Sequence, residues 1–188
     1  HWMVHSFPTR RSSDLEKEGL SEKVAFIGIN STDHLVNKEK IKEAIVDAQQ
    51  QARYVVAYIH WGNEYERLSH VNQQSFGRWL VDNGVTAVIG MHPHVIQEME
   101  LYQGSPIFYS LGNFVFDQYF SRDTQEGISV GLDLQDGKVK RVYVFPFYSV
   151  KSQNILMGQS AQTEFFQWWN MNSRLDGKVF ENNKIDIN

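Results

Sequence analysis

Three short apolar runs, separated by two segments of helical periodicity, constrain the fold of this chain more than any other feature. Residues 23–29 (KVAFIGI), 54–59 (YVVAYI) and 85–89 (VTAVI) are rich in β-branched and aromatic side chains and carry almost no charge. The middle run is apolar at every position, which predicts a strand covered on both faces. Between the first two runs, residues 38–52 place Ile41, Ala44, Ile45 and Ala48 on one stripe of a helix. Asn37 stands where its side chain accepts an orphan backbone N–H, and Glu39 suits the positive end of the helix dipole. Between the second and third runs, residues 71–83 repeat the pattern with Phe76, Trp79 and Leu80 as the buried face and Gly84 as the stop. Strand, helix, strand, helix, strand at this spacing predicts a parallel α/β layer.

Beyond residue 95 the pattern changes to hairpins. Residues 97–102 and 106–110 flank Gln103-Gly104-Ser105, and residues 128–134 and 138–145 flank Gln135-Asp136-Gly137, whose Asp-Gly pair suits a tight turn. An antiparallel portion is expected to follow the parallel one. The tail, residues 160–175, reads as a helix carrying Phe165, Phe166, Trp168 and Trp169. Core packing is the commoner use of such a cluster, with a membrane or partner surface as the alternative. No repeat or linker divides the chain.

Composition narrows the function classes. With 188 residues, 41% hydrophobic, the chain is long enough for one domain with a sizeable core. Its 18 basic and 22 acidic residues give a net charge of -4, so no overall positive field draws nucleic acid towards it. No apolar run approaches the roughly 20 residues of a membrane-spanning helix, so the chain as written is expected to be soluble. Without cysteine there is no disulfide, thiolate nucleophile or cysteine-zinc site, and any metal must be held by His, carboxylate or amide.

The opening segment stands apart. Residues 6–15 read SFPTRRSSDL, which matches one reading frame of a common sequencing adapter. Residues 1–15 are therefore expected to be a non-native leader, and residues 16–188 the C-terminal part of a larger domain.

Three segments at predicted strand ends carry candidate chemistry, since open α/β sheets bind ligands at the carboxyl edge. His60-Trp61-Gly62-Asn63-Glu64 follows the buried strand directly. His60 has two readings, a hydrogen-bonded structural residue or a metal ligand, and Gly62 allows the backbone to turn. Gly90-Met91-His92-Pro93-His94 follows the third strand. Pro93 fixes φ, so this segment is expected to be a rigid loop that presents two neutral imidazoles, as metal binding requires. Tyr109-Ser110-Leu111-Gly112-Asn113-Phe114 suits a positive-φ turn; its functional reading sets the Asn113 amide against a metal-bound oxygen or substrate.

Read together, HWGNEY (60–65), GMHPHVIQEMELY (90–102) and YSLGNFVFDQ (109–118) resemble the consecutive signature blocks of the CapA family of poly-γ-glutamate and capsule biosynthesis proteins. The resemblance covers about residues 23–147. It implies an α/β (α+β) fold of the calcineurin-like metallophosphoesterase kind, a β-sandwich with flanking helices, here N-terminally truncated. It also implies two divalent ions, manganese, iron or zinc, at the strand-end loops. On that resemblance His60, His92 and His94 correspond to metal ligands, and His60, Glu64 and Asn113 to catalytic positions. The implied reaction is phosphoester hydrolysis, in which two ions about 4 Å apart activate water and neutralise phosphoryl charge.

The family's N-terminal ligand blocks have no counterpart before His60. The nearby acids are Glu64, Glu98, Glu100 and Asp117, and the fragment alone is expected to have an incomplete centre and to be inactive or nearly so. Two other functions fit the resemblance: a non-catalytic scaffold of a membrane-bound polymer synthesis complex, or a metal-dependent hydrolase of γ-glutamyl amide bonds. The resemblance implies a phosphoester or poly-γ-glutamate-related substrate, other membrane-bound capsule synthesis proteins as partners, no nucleic acid, and an extracytoplasmic, membrane-associated parent.

Overall fold

The computed structural model describes residues 22–32 and 36–187; the leader expected at residues 1–15 lies outside them. Five strands form the first sheet: β1 (Val24–Asn30), β2 (Tyr54–His60), β3 (Ala87–Met91), β4 (Met99–Tyr102) and β5 (Ser105–Phe108), in the order β1-β2-β3-β5-β4. Helix α1 (Lys38–Gln51) connects β1 to β2, and α2 (Val71–Asp82) connects β2 to β3, giving the expected parallel layer. The Asn37 side chain accepts from the Lys40 N–H at the start of α1, and Gly84, at φ +94, ends the turn after α2.

The first hairpin does not open a separate antiparallel portion. Its strand β5 pairs in parallel with β3, Val88 opposite Ile107, and β4 closes the edge antiparallel to β5. The second sheet is antiparallel throughout: β6 (Glu126–Gln135), β7 (Lys138–Val150) and β8 (Gln153–Leu156) in order, with β9 (Lys184–Asp186) also on β7. Helix α3 (Gln159–Asn172) precedes β9.

Strand alternation sorts the side chains into two cores. On one face of the first sheet, Ala25, Val55, Ala57, Ile59, Val88 and Ile107 pack with Ile45 and Ala48 of α1 and Phe76, Leu80 and Val81 of α2. On the other face, Tyr54, Val56, Ile89, Met99 and Phe108 pack with Ile128, Val142 and Val144 of the second sheet. This is a β-sandwich with flanking helices, the mixed α/β architecture expected. Phe165 and Trp169 of α3 enter the sandwich core, and Phe166 and Trp168 pack at its margin. The aromatic helix is therefore core rather than a membrane surface.

One expectation for β2 is corrected. It is covered on both faces only up to Ala57; Tyr58, on the sandwich side, is 44% exposed. His60 has the same strand parity as Val56 and Tyr58, so it emerges on this uncovered end.

Candidate metal centre

The imidazoles of His60, His92 and His94 line the carboxyl edge of the first sheet. His60 is the last residue of β2 and pairs in register with Met91, the last residue of β3, so His92 begins the loop beside it. Ring centroids lie 4.5 Å apart for His60 and His92 and 5.9 Å apart for His92 and His94. Two glycines allow this edge to form. Gly62 takes φ +84 in the turn after His60, and a Cβ on Gly90 would stand 2.2 Å from the Tyr109 carbonyl oxygen and 2.4 Å from Trp61 Nε1. Trp61 is itself buried, and its indole N–H donates to that same carbonyl at 2.8 Å.

The backbone is strained on both sides of this edge. His92, His94 and Tyr65 all have left-handed φ, at +104, +62 and +65. Such conformations are uncommon outside glycine and collect at sites where a side chain must be aimed. Pro93 lies between the two histidines, and its carbonyl accepts the Tyr65 N–H at 2.8 Å, tying the His60 loop to the His92 loop. Glu64 is carried on that tie. Its Oε1 lies 3.9 Å from His94 Nε2. Ligand atoms of Glu64, His92 and His94 all fall within 4.8 Å of one another, the one such group of three or more among the described residues.

Asn113 sets the state of His94. It is buried, and its amide Nδ2 donates to the Thr124 carbonyl at 3.0 Å and to Gln118 Oε1 at 3.3 Å. The Thr124 carbonyl can only accept, so the amide oxygen must be the atom that faces His94 Nδ1, 2.9 Å away. An oxygen acceptor there places a proton on Nδ1, so in the neutral ring the lone pair lies on Nε2, the nitrogen that faces Glu64. The structure thus brings Asn113 onto His94, with its amide donors engaged by Thr124 and Gln118.

The donor set fits a divalent transition metal. Two imidazoles and a carboxylate suit manganese, iron or zinc better than calcium or magnesium. A neutral Nε2 lone pair and a carboxylate oxygen facing each other are drawn together by a cation between them, either a proton on Nε2 or a metal ion. Ligands held about 2.1 Å from one ion can be no more than about 4.2 Å apart; Glu64 and His94, at 3.9 Å, already meet that limit, and the group as a whole lies within 4.8 Å.

The other acids are placed elsewhere. Glu98 and Glu100 are buried on the α2 side of β4. Glu98 accepts from the Ser69 backbone N–H at 3.0 Å and from the Ser69 hydroxyl. Glu100 accepts from Arg78 Nε at 2.8 Å, Tyr109 Oη at 2.6 Å and Arg174 Nε at 3.1 Å. Burial alone raises the Glu100 pKa, but these donors and the Arg174 charge hold it below the usual carboxylate range. Burial and the bond to Glu100 push the Tyr109 hydroxyl up. Asp117 is exposed and outside the three-residue group. Sequence reasoning did not single out Thr124, Gln118 or Tyr65; Tyr65 and Gln118 carried a signal, as the last residues of the HWGNEY and YSLGNFVFDQ blocks, and Thr124 carried none.

The model of the family described as bacterial capsule synthesis protein PGA_cap matches residues 4–118, a span that holds His60, Glu64, His92, His94 and Asn113. A PGA biosynthesis protein CapA of Bacillus subtilis (strain 168) is 40% identical over 102 residues, 54% of this chain and 27% of that protein. A capsule biosynthesis protein CapA of Bacillus anthracis is 37% identical over 108 residues, 57% of this chain and 26% of that protein. A probable polyglutamine synthesis accessory protein of Mycobacterium tuberculosis is 31% identical over 62 residues, 33% of this chain and 16% of that protein. The matched stretch spans about a quarter of the length of the two Bacillus relatives.

Proposed function

The chain belongs to the bacterial capsule synthesis protein PGA_cap family, and from that premise we propose that it carries part of a metal-dependent phosphoester hydrolase site used in capsule or poly-γ-glutamate production. The observation that carries this reading is the pairing of His94 Nε2 with Glu64 Oε1 at 3.9 Å, with His92 beside them and the His94 tautomer set by Asn113. We assign His92, His94 and Glu64 to holding a divalent ion and His60 to the same donor edge. Asn113 is assigned to fixing the imidazole of His94.

A divalent ion bound there supplies Lewis acidity towards a phosphoryl oxygen and lowers the pKa of water. The chain's own part is to orient these imidazoles and to present them at the open end of β2. A two-ion centre needs bridging carboxylates, and among the described acids discussed above only Glu64 stands in the group. This chain alone is therefore expected to bind metal while turning over substrate slowly or not at all. The capsule relatives support association with polymer synthesis machinery. Among the described residues no helix is long and apolar enough to cross a membrane, so membrane association outside the cytoplasm belongs in this proposal to the whole protein.

The test compares turnover of bis-p-nitrophenyl phosphate and of poly-γ-glutamate by the whole protein loaded with manganese. Hydrolysis of the phosphodiester alone, lost in His92→Ala, is the expected result. Hydrolysis of poly-γ-glutamate alone would replace this reading with amide hydrolysis. No turnover of either, with no metal bound, would replace it with a scaffold role.

A further inference from the structure

Beside the histidines, the surface carries aromatic rings that the hydrolase reading leaves unused. Phe116 and Phe120, on the loop between β5 and β6, are 43% and 67% exposed, and Tyr65 is 44% exposed. They are contiguous with the candidate centre. The Tyr65 ring stacks on His94 at 6.0 Å, Phe116 lies 5.3 Å from His94, and Phe120 meets Tyr65 edge-on at 5.3 Å.

The loop is pinned with these rings outward. Thr124 Oγ1 donates to the Gln118 carbonyl at 2.9 Å, and Gln125 Nε2 donates to the Ser121 carbonyl at 2.9 Å. Gln118 Nε2 donates to Tyr65 Oη at 3.2 Å, joining the loop to the far wall. The rings are therefore presented by the fold, directly beside His94.

Charge selects the class of group. Glu64, Glu66 and Asp117 adjoin the rings in sequence and are exposed. The two nearby arginines are engaged: Arg67 with Asp123 at 3.3 Å and the Trp168 ring under its guanidinium at 4.3 Å, and Arg122, two residues from Phe120, with Glu126 at 2.7 Å and Tyr148 Oη at 3.0 Å. This acidic setting disfavours an anionic chain or an anionic bilayer on the lip. Aromatic faces attract the flat face of an uncharged ring.

We propose that Tyr65, Phe116 and Phe120 form a stacking subsite for an uncharged ring, a sugar or a nucleobase, attached to the group that reacts at the neighbouring histidines. The placement of that ring next to the reacting bond rests on the hydrolase reading, whereas binding of the ring to the lip does not require metal.

The experiment is an NMR titration of the metal-free chain with methyl β-D-glucopyranoside, adenosine, γ-glutamylglutamate and phosphatidylglycerol vesicles. Shifts of the Tyr65, Phe116 and Phe120 ring resonances with the glucoside or with adenosine are expected, and which of the two acts identifies the ring. Phe120→Ala and Phe120→Leu should each weaken that binding about tenfold, since leucine keeps the apolar bulk without the aromatic face. Absence of shifts with both ring ligands, unchanged affinity in Phe120→Ala, or response only to the dipeptide or the vesicles overturns the proposal. Because metal is absent throughout, failure here and failure of metal binding are separate results.

Discussion

The Asn113 amide oxygen meets Nδ1 of His94 at 2.9 Å, and this contact decides which nitrogen of the imidazole is free to bind. Removing it frees the ring to rotate and to change tautomer, and it leaves the buried Thr124 carbonyl without the Asn113 donor. Asn113→Ala is expected to weaken manganese or zinc affinity by about 10- to 100-fold, as loss of a partner to a ligating histidine commonly does. Competition with a chelating dye measures this, and circular dichroism confirms that the fold persists.

Gly90 is a steric requirement of the same edge. Its missing Cβ leaves room for the Tyr109 carbonyl and the Trp61 indole, both of which are fixed by their mutual bond. Neither contact is the mobile end of a surface side chain. Gly90→Ala should destabilise the protein by about 1–3 kcal/mol or more and displace His92 with it. Thermal unfolding and metal titration of the same variant should both shift.

The Glu100 network governs the acid side of stability. Its carboxyl titrates below its ordinary value in the folded protein, so the stabilisation is complete above the unfolded-state pKa and is lost as pH falls through the lower folded value. Glu100→Gln removes the charge that Arg78 and Arg174 share. It should cost about 3 kcal/mol at pH 7 and flatten the loss of stability as pH falls through and below the ordinary carboxylate range. Urea denaturation across that range tests both.

Trp169 tests the placement of α3. It is fully buried in the sandwich core, against Phe165 at 4.9 Å. Trp169→Ala should destabilise by about 3–5 kcal/mol, whereas Met171→Ala, at an exposed site on the same helix, should change stability by less than about 0.5 kcal/mol. Comparable effects at the two positions would contradict a buried aromatic face.

The parallel layer was legible because apolar runs and helical stripes alternate, and the two hairpins because Gln103-Gly104 and Asp136-Gly137 supply two consecutive positive φ values each. Strands β8 and β9 were not: four and three residues are too few for a period, and they exist because β7 is long enough to template both. Strand-end position located His60, Glu64, His92 and His94, since parity and register bring successive strand ends together. Sequence offered Glu98 and Glu100 as available acids. Alternation says that they share a face but not that Arg78, Arg174, Tyr109 and Ser69 cover it. The Asn113 contact with Thr124 was equally hidden, because it joins a turn to a loop with no periodic signal.

The most direct test of the central claim is the metal stoichiometry of the purified chain, measured by elemental analysis after dialysis against manganese and again against zinc, alongside His92→Ala. The wild-type chain is expected to retain about one ion, and His92→Ala to lose it while keeping its circular dichroism spectrum. A metal-free wild type, or a variant that retains its ion, would contradict it.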